Sequence, residues 1–335
     1  MKQELKDLKV YPGIPEGFIN LATNEVNNTK WNEILNYNEI LKSLHLDEYG
    51  NSKHEILVDT YAKYIGLDNS NIICGPGSDS LIPLLINALT TRNIMTISKD
   101  FFRYKDLANI LQREVYEIEH SSNMFKNAID IISKNKIELF ILSNPNNPLG
   151  IVYSINDIRY LLDNSDCYIV VDEAYMEFSD QSVVDLIKEY DKLIVLKTLS
   201  KAWGLAKLRV GFCLSNAQLI DYLKAVQGPF VLSDINATIA NETLKNNNYL
   251  INNIIQVNNT KKEFINNLDN SLEVYDSHTN FVYIKCENAV IIHKALLDNK
   301  ILVARFEDAL RISIGSNKVM NEVSKIINNT IKDGK

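Results

Sequence analysis

The chain lacks the residues that staple small folds or cage a metal ion. Its four cysteines, Cys74, Cys167, Cys213 and Cys286, stand far apart with no C-x-x-C spacing. They read as reduced, semi-buried residues of a cytosolic protein, which leaves no disulfide framework and no zinc ribbon. The five histidines, His45, His54, His120, His278 and His293, show no ligand spacing, so metal-dependent chemistry has no support. No apolar run is long enough to span a bilayer, and the opening M-K-Q-E-L-K-D-L-K is no signal peptide. Positive charge is also in deficit. With 35 Lys and Arg against 42 Asp and Glu the net charge is −7, which argues against non-specific binding to nucleic acid or an anionic membrane. Internal repeats and long linkers are missing.

What is present is a chain of 335 residues, 46% hydrophobic, enough for one large domain and a smaller one around a buried core. Short apolar runs at 71–74, 94–97, 138–143, 168–172 and 192–197 are mainly β-branched and end in polar residues. Runs of this kind suit strands buried on both faces, and the helical patterns between them (78–89 and 155–162) imply a layered α/β domain with a mostly parallel sheet. Ligands of such sheets bind beyond the carboxyl ends of the strands, where four of these runs place polar clusters. After Gly228-Pro229 the pattern changes to long helices with strands at 273–275, 281–285 and 310–314. The expected division is an N-terminal arm (1–25) joining a small C-terminal α+β domain (228–335), with a large domain over 26–227. The Asn-rich stretch 246–259 keeps Leu250, Ile254, Ile255 and Val257 at roughly helical spacing, and reads as an exposed amphipathic helix.

Four clusters carry chemistry. Thr198-Leu199-Ser200-Lys201 follows an apolar strand, and Arg209 comes eight positions after Lys201. Two hydroxyls and a guanidinium suit a phosphate while the amine reaches a carbonyl. Alone, the lysine reads as a solvated loop charge. An amine used this way must shed its proton, which burial and a neighbouring cation promote. Asp172 ends a strand in V-V-D-E-A-Y. It is either a capping carboxylate or one that faces a pyridine nitrogen and keeps it protonated, with the Tyr175 hydroxyl on the ring's phenolic oxygen. Ser143-Asn144-Pro145-Asn146-Asn147-Pro148-Leu149-Gly150 is a turn by composition, but the Asn147 amide has the chemistry to bond the same oxygen. Gly75-Pro76-Gly77-Ser78-Asp79 opens a helix whose free amides favour a phosphate.

With these motifs in this order, the chain resembles the fold-type I pyridoxal-phosphate aminotransferases of the class I/II group, and among them the histidinol-phosphate branch. V-V-D-E-A-Y-M-E-F, K-T-L-S-K-A-W-G-L-A-K-L-R-V-G-F, S-N-P-N-N-P-L-G and L-R-I-S-I-G carry the resemblance, from Asn24-Glu25 to Gly315. It implies a seven-stranded large-domain sheet, a cytoplasmic homodimer, pyridoxal 5′-phosphate as cofactor, and amino transfer from L-histidinol phosphate to 2-oxoglutarate in histidine biosynthesis. Lys201 would hold the cofactor as a Schiff base and shuttle the proton at Cα. Asp172 would pair with the ring nitrogen, Asn147 and Tyr175 would hold the phenolic oxygen, and Phe101 would stack on the ring. Ser78, Asp79, Ser200 and Arg209 would bind the phosphate, with Tyr49 reaching over from the neighbouring subunit. Arg311 would grip the substrate carboxylate or its counterpart, for which a bidentate fork is suited.

The resemblance breaks at several places. Val26-Asn27-Asn28 stands where a proline-bearing turn is usual, Lys207 where a glycine is usual, and Lys99-Asp100 where a Pro-Thr pair precedes the stacking aromatic. An arginine for the substrate phosphate is expected directly after an apolar run, where this chain has Ala304, with Arg305 one position later. In an extended segment that shift turns the side chain to the other face. Either Arg305 serves or phosphate recognition is weakened. Tyr11 is a second candidate contact, equally readable as a hydrophobic anchor. A threonine-phosphate decarboxylase or an aromatic aminotransferase would share the cofactor residues. A non-catalytic ligand sensor on this fold normally carries a helix-turn-helix module, for which the stretch before Asn24 is too short.

Overall fold

The computed structural model describes residues 13–26, 29–45, 47–50 and 54–333. Its strands are β1 (Ile19–Leu21), β2 (Ile72–Gly75), β3 (Asn93–Ile97), β4 (Glu114–Ile118), β5 (Leu139–Ser143), β6 (Tyr168–Asp172), β7 (Leu193–Thr198), β8 (Gly211–Leu214), β9 (Glu273–Val274), β10 (Phe281–Lys285), β11 (Ile301–Arg305) and β12 (Ala309–Ser313). Seven of them form one sheet in the order β2-β8-β7-β6-β5-β3-β4. Neighbours from β7 to β4 run parallel, and β8 runs antiparallel to both of its neighbours.

The continuous apolar runs are explained by burial on two faces. Every residue of Leu139–Leu142, Ile169–Val171 and Leu193–Leu196 has zero exposure. Because side chains alternate across a strand, the runs divide between two cores. Leu139, Ile141, Val170, Ile194 and Leu196 join Leu81, Ile82, Leu85 and Ile86 of the helix Ser78–Leu89. Phe140, Leu142, Ile169, Val171, Leu193 and Val195 face the opposite side, with Ile158 and Leu161 of the helix Ile155–Asp163. That second helix starts in a full capping box, Ser154 with Asp157.

The register sets Ser143 opposite Asp172 and Asp172 opposite Leu196. The polar ends of β5, β6 and β7 therefore lie side by side at one edge, where an α/β sheet binds its ligand.

A second sheet has the order β1-β11-β12-β10-β9, with β1 parallel to β11 and the remaining pairs antiparallel. Helices Ala289–Asp298 and Asn317–Asp333 pack together beside it. The Asn-rich segment is a helix, Asn248–Asn266, but it buries Leu250, Val257, Thr260, Lys261 and Phe264, while Ile255 faces solvent. No helix among the described residues is long and apolar enough to cross a membrane. Among those residues there is also no cluster of His, Cys, Asp or Glu able to hold a metal ion.

Candidate active site

Lys201 lies just past β7, and its Nζ donates to the Thr23 carbonyl at 2.9 Å and sits 5.6 Å from the centre of the Tyr175 ring. The turn that presents it is tied down locally. The Thr198 hydroxyl accepts from the Ser200 amide at 3.1 Å and donates at the same distance to the Ser200 hydroxyl or to the Val210 carbonyl. Arg209 takes a left-handed backbone (φ 51°) and its Nη1 donates to Ser200 Oγ at 3.3 Å. Opposite it, the helix Ser78–Leu89 starts after Gly77. A Cβ at Gly77 would lie 2.5 Å from Arg209 Nη2, and one at Gly211 would lie 2.3 Å from the Ser78 nitrogen. Only glycine allows this approach, and it brings free helix amides, a hydroxyl and a guanidinium together as an anion cradle. The Asp79 carboxylate is turned to Arg103, 3.3 Å away, so what Asp79 offers the cradle is its backbone.

Asp172, at the end of β6, is 4% exposed. One oxygen accepts from the Tyr104 hydroxyl at 2.9 Å and the other from the Ala174 amide at 3.1 Å. Burial nevertheless pushes its pKa up to about 6, with those two bonds and the more distant Lys201 charge opposing the rise. No lysine or arginine forms an ion pair with it among the described residues. A buried carboxylate without a cation is costly.

Tyr175 is buried, edge-on to Phe281 at 5.2 Å, and its hydroxyl accepts from Asn24 Nδ2 at 2.9 Å. Asn24 has φ 57°, a conformation asparagine tolerates better than most residues. Its own amide donates to Ser313 Oγ at 2.9 Å and its carbonyl accepts from Asn280 at 3.0 Å, so one residue ties Tyr175 to β12 and to the turn before β10. Phe101 stands edge-on to Tyr104 at 5.5 Å and 86°. Asn147 is buried, and its Oδ1 accepts from Arg311 Nη1, whose Nη2 donates to the Ala22 carbonyl. The Asn147 amide N–H groups have no partner among the described residues and remain available to an acceptor in the site.

The structure does not bring every expected residue here. Register pairs Ala304 with Arg311 and Arg305 with Leu310. Paired residues share a face, so Ala304 faces the site while Arg305 faces away with the buried Leu310. On that side lies His293, whose pKa is lowered by burial first and by the Arg305 charge second. Arg305 therefore lies on the face opposite to the one that carries Arg311. Tyr49 is 86% exposed and packs on Phe230 at 4.8 Å, away from Lys201's contacts. Tyr11 lies outside the described residues. Conversely, Tyr104, Asn24 and Asp100 lie at the site, although the sequence reading assigned none of them a role there.

The family model described as "Aminotransferase class I and II" matches residues 16–327. The histidinol-phosphate aminotransferase of Clostridium novyi is 35% identical over 342 residues, with 97% of this chain and 96% of that protein covered. That of Clostridium kluyveri is 34% identical over 303 residues, with 86% of each covered. The chain belongs to the class I and II aminotransferases. The fold agrees. The histidinol-phosphate aminotransferase of Sinorhizobium meliloti, solved with pyridoxal-5′-phosphate, superposes with a TM-score of 0.89 at 18% identity, covering 100% of this chain and 98% of that one.

The aminotransferase site fits a flat, phosphorylated pyridine. The cradle at Ser78, Ser200 and Arg209 supplies anion donors. Asp172 would supply the counter-charge a protonated ring nitrogen needs, Tyr175 and Asn147 would offer groups to a ring oxygen, and Lys201 would offer the amine.

Proposed function

We propose that this chain is a pyridoxal-phosphate-dependent histidinol-phosphate aminotransferase. It moves the amino group of L-histidinol phosphate to 2-oxoglutarate, giving imidazole-acetol phosphate and glutamate in histidine biosynthesis. Likeness to the Clostridium enzymes over nearly the whole length supports the substrate assignment. The observation that carries the chemistry is the buried Asp172, a carboxylate with no ion-pair partner among the described residues.

Pyridoxal 5′-phosphate, when bound, supplies the electron sink for a carbanion at the substrate Cα. Asp172 keeps the ring nitrogen protonated, and Tyr104 holds the carboxylate in its ionised form. Tyr175, held by Asn24, and Asn147 bind the ring's phenolic oxygen. Ser200, Arg209 and the amides of Ser78 and Asp79 bind the phosphate, and Phe101 covers one ring face. Lys201 would hold the cofactor through its amine, and its Nζ would serve as the base for the proton at the substrate Cα. Arg311 presents its fork to the 2-oxoglutarate carboxylate and, in the other half-reaction, to the phosphate ester that takes its place. We further assign residues 26–227 and 228–335 to the two domains, with the N-terminal arm joined to the second. The β1–β11 pairing supports that assignment. We assign the enzyme to the cytoplasm as a homodimer with Tyr49 reaching the partner's cofactor phosphate; the exposure of Tyr49, Phe230 and Ile56 supports the dimer.

A second reading, an aromatic amino-acid aminotransferase, is favoured by Ala304 facing the site while Arg305 turns away. The test is a donor series with 2-oxoglutarate as acceptor, following glutamate formed and carbon dioxide released. L-Histidinol phosphate should be the preferred donor by kcat/KM. Preference for tyrosine or phenylalanine would establish the second reading, and carbon dioxide released from O-phosphothreonine at catalytic rates would replace both with a decarboxylase.

A further inference from the structure

Asp100 precedes Phe101 and lies partly beneath the surface beside the end of β5. Its two carboxylate oxygens receive three donors. The Phe101 amide donates at 2.7 Å, the Ser143 amide at 3.0 Å, and the Ser143 hydroxyl makes a shorter bond. The same Ser143 oxygen accepts from the backbone N–H of Asn147 at 3.0 Å. Asn147 in turn receives Arg311. A second strap runs alongside, as Asn146 Nδ2 donates to the Lys99 carbonyl at 3.2 Å. The segment 99–101, which carries the ring-stacking Phe101, is thus bonded to the turn 143–147, which carries the Asn147–Arg311 pair.

We propose that Asp100 is a positioning residue for transamination: its carboxylate, through Ser143, holds Asn147 where it meets Arg311, and holds Phe101 at the same time. The proposal rests on the reading that Asn147 and Arg311 handle the cofactor and substrate. No other described residue joins the stacking aromatic to the Asn147 turn by its side chain at both ends, since Asn146 reaches only the Lys99 backbone. A carboxylate is suited to the task because, ionised, it only accepts, and all three of its partners are donors.

The charge state of Asp100 should therefore be visible in substrate binding. Its neighbours are Asp172 at the end of β6, Tyr104 on the helix Arg103–Ile110, Tyr153 beyond the turn, and His120, which contacts both Tyr153 and the Lys99 carbonyl. Lys99 adds the adjoining cation. Burial raises the Asp100 pKa to about 7, against the three hydrogen bonds that lower it, and the Asp172 charge adds to the rise. Asp100 is then ionised only toward neutral pH and above, so substrate binding should improve as pH rises through that value.

Three holoenzymes decide this: wild type, Asp100→Ala and Asp100→Asn. KM and kcat for glutamate as donor are measured from pH 5.5 to 9, alongside the visible spectrum of the bound cofactor. Asp100→Ala should retain the cofactor band and raise KM about tenfold at pH 8, the scale of one lost charged hydrogen bond. Asp100→Asn keeps an acceptor oxygen but cannot ionise. It should hold KM near the low-pH wild-type value at every pH, below that of Asp100→Ala, and lose the wild-type step near pH 7. Wild-type KM and pH dependence in Asp100→Ala would overturn the proposal. So would an equal loss of KM and kcat in both variants with the pH step intact, since Asp100 would then be only structural. Failure of wild type to transaminate any donor would instead strike the functional reading.

Discussion

Replacing Tyr104 with phenylalanine removes one hydroxyl from a buried carboxylate and leaves the packing intact, since the ring keeps its edge-on contact with Phe101 at 5.5 Å. The bond lost is the 2.9 Å donation to Asp172. A hydrogen bond to a charged group contributes about 1.5–3 kcal/mol, and one pKa step corresponds to about 1.4 kcal/mol, so the Asp172 pKa should rise by roughly 1–2 units. It stands at about 6 in the parent fold. The sign follows from the charge: Tyr104 favours the ionised form, so its loss favours the protonated one. At pH 7 about nine-tenths of the parent protein carries an ionised Asp172, against about a quarter of a variant raised to roughly 7.5. Only the ionised form pairs with a protonated ring nitrogen. Cofactor affinity should therefore fall about fourfold at pH 7 and more at pH 6, with the gap closing above pH 8.5. Titrating the apoprotein with pyridoxal 5′-phosphate from pH 6 to 9, by visible absorbance, measures this. Parallel curves with one shared pH midpoint would refute the assignment of Asp172 to the ring nitrogen.

Arg311→Lys keeps the charge but loses the fork, and should raise KM for 2-oxoglutarate about tenfold to a hundredfold while the bound cofactor's spectrum is unchanged. Arg305→Ala, on the face turned away from the site, should leave kcat/KM for L-histidinol phosphate within about twofold; a loss on the scale of a charged phosphate contact would show that Arg305 does reach the substrate. Lys197 is buried between Glu173 at 2.8 Å and Glu177 at 3.5 Å. Lys197→Met leaves both carboxylates uncompensated and should cost about 3–5 kcal/mol in urea unfolding of the holoenzyme. A cost under about 1 kcal/mol would mean that the cluster takes up a proton and relaxes.

The sequence makes the central sheet legible because strands buried on both faces need unbroken apolar runs, as at Leu139–Leu142 and Leu193–Leu196. It hides β4, an edge strand of mixed polarity, Glu-Val-Tyr-Glu-Ile, and β8, four residues that reverse direction beside a parallel strand. Lys201, Asp172 and Asn147 could be found because each sits at or just after the end of such a run. Tyr104, Asn24 and Asp100 could not, since what matters about them is partners 68, 151 and 43 residues away. The facing of Arg305 depends on which residue of β12 it meets, and a one-residue difference in register reverses the answer. Local pattern thus shows where chemistry is placed, whereas the bonds that hold it there are non-local.

The most direct test of the account mixes purified holoenzyme with L-histidinol phosphate alone and follows the visible absorbance of the bound cofactor. The account predicts rapid bleaching, restored by 2-oxoglutarate, which demonstrates both half-reactions on one site. An unchanged spectrum with L-histidinol phosphate, alongside bleaching by tyrosine or phenylalanine, would contradict it and make Ala304 the mark of an unphosphorylated substrate.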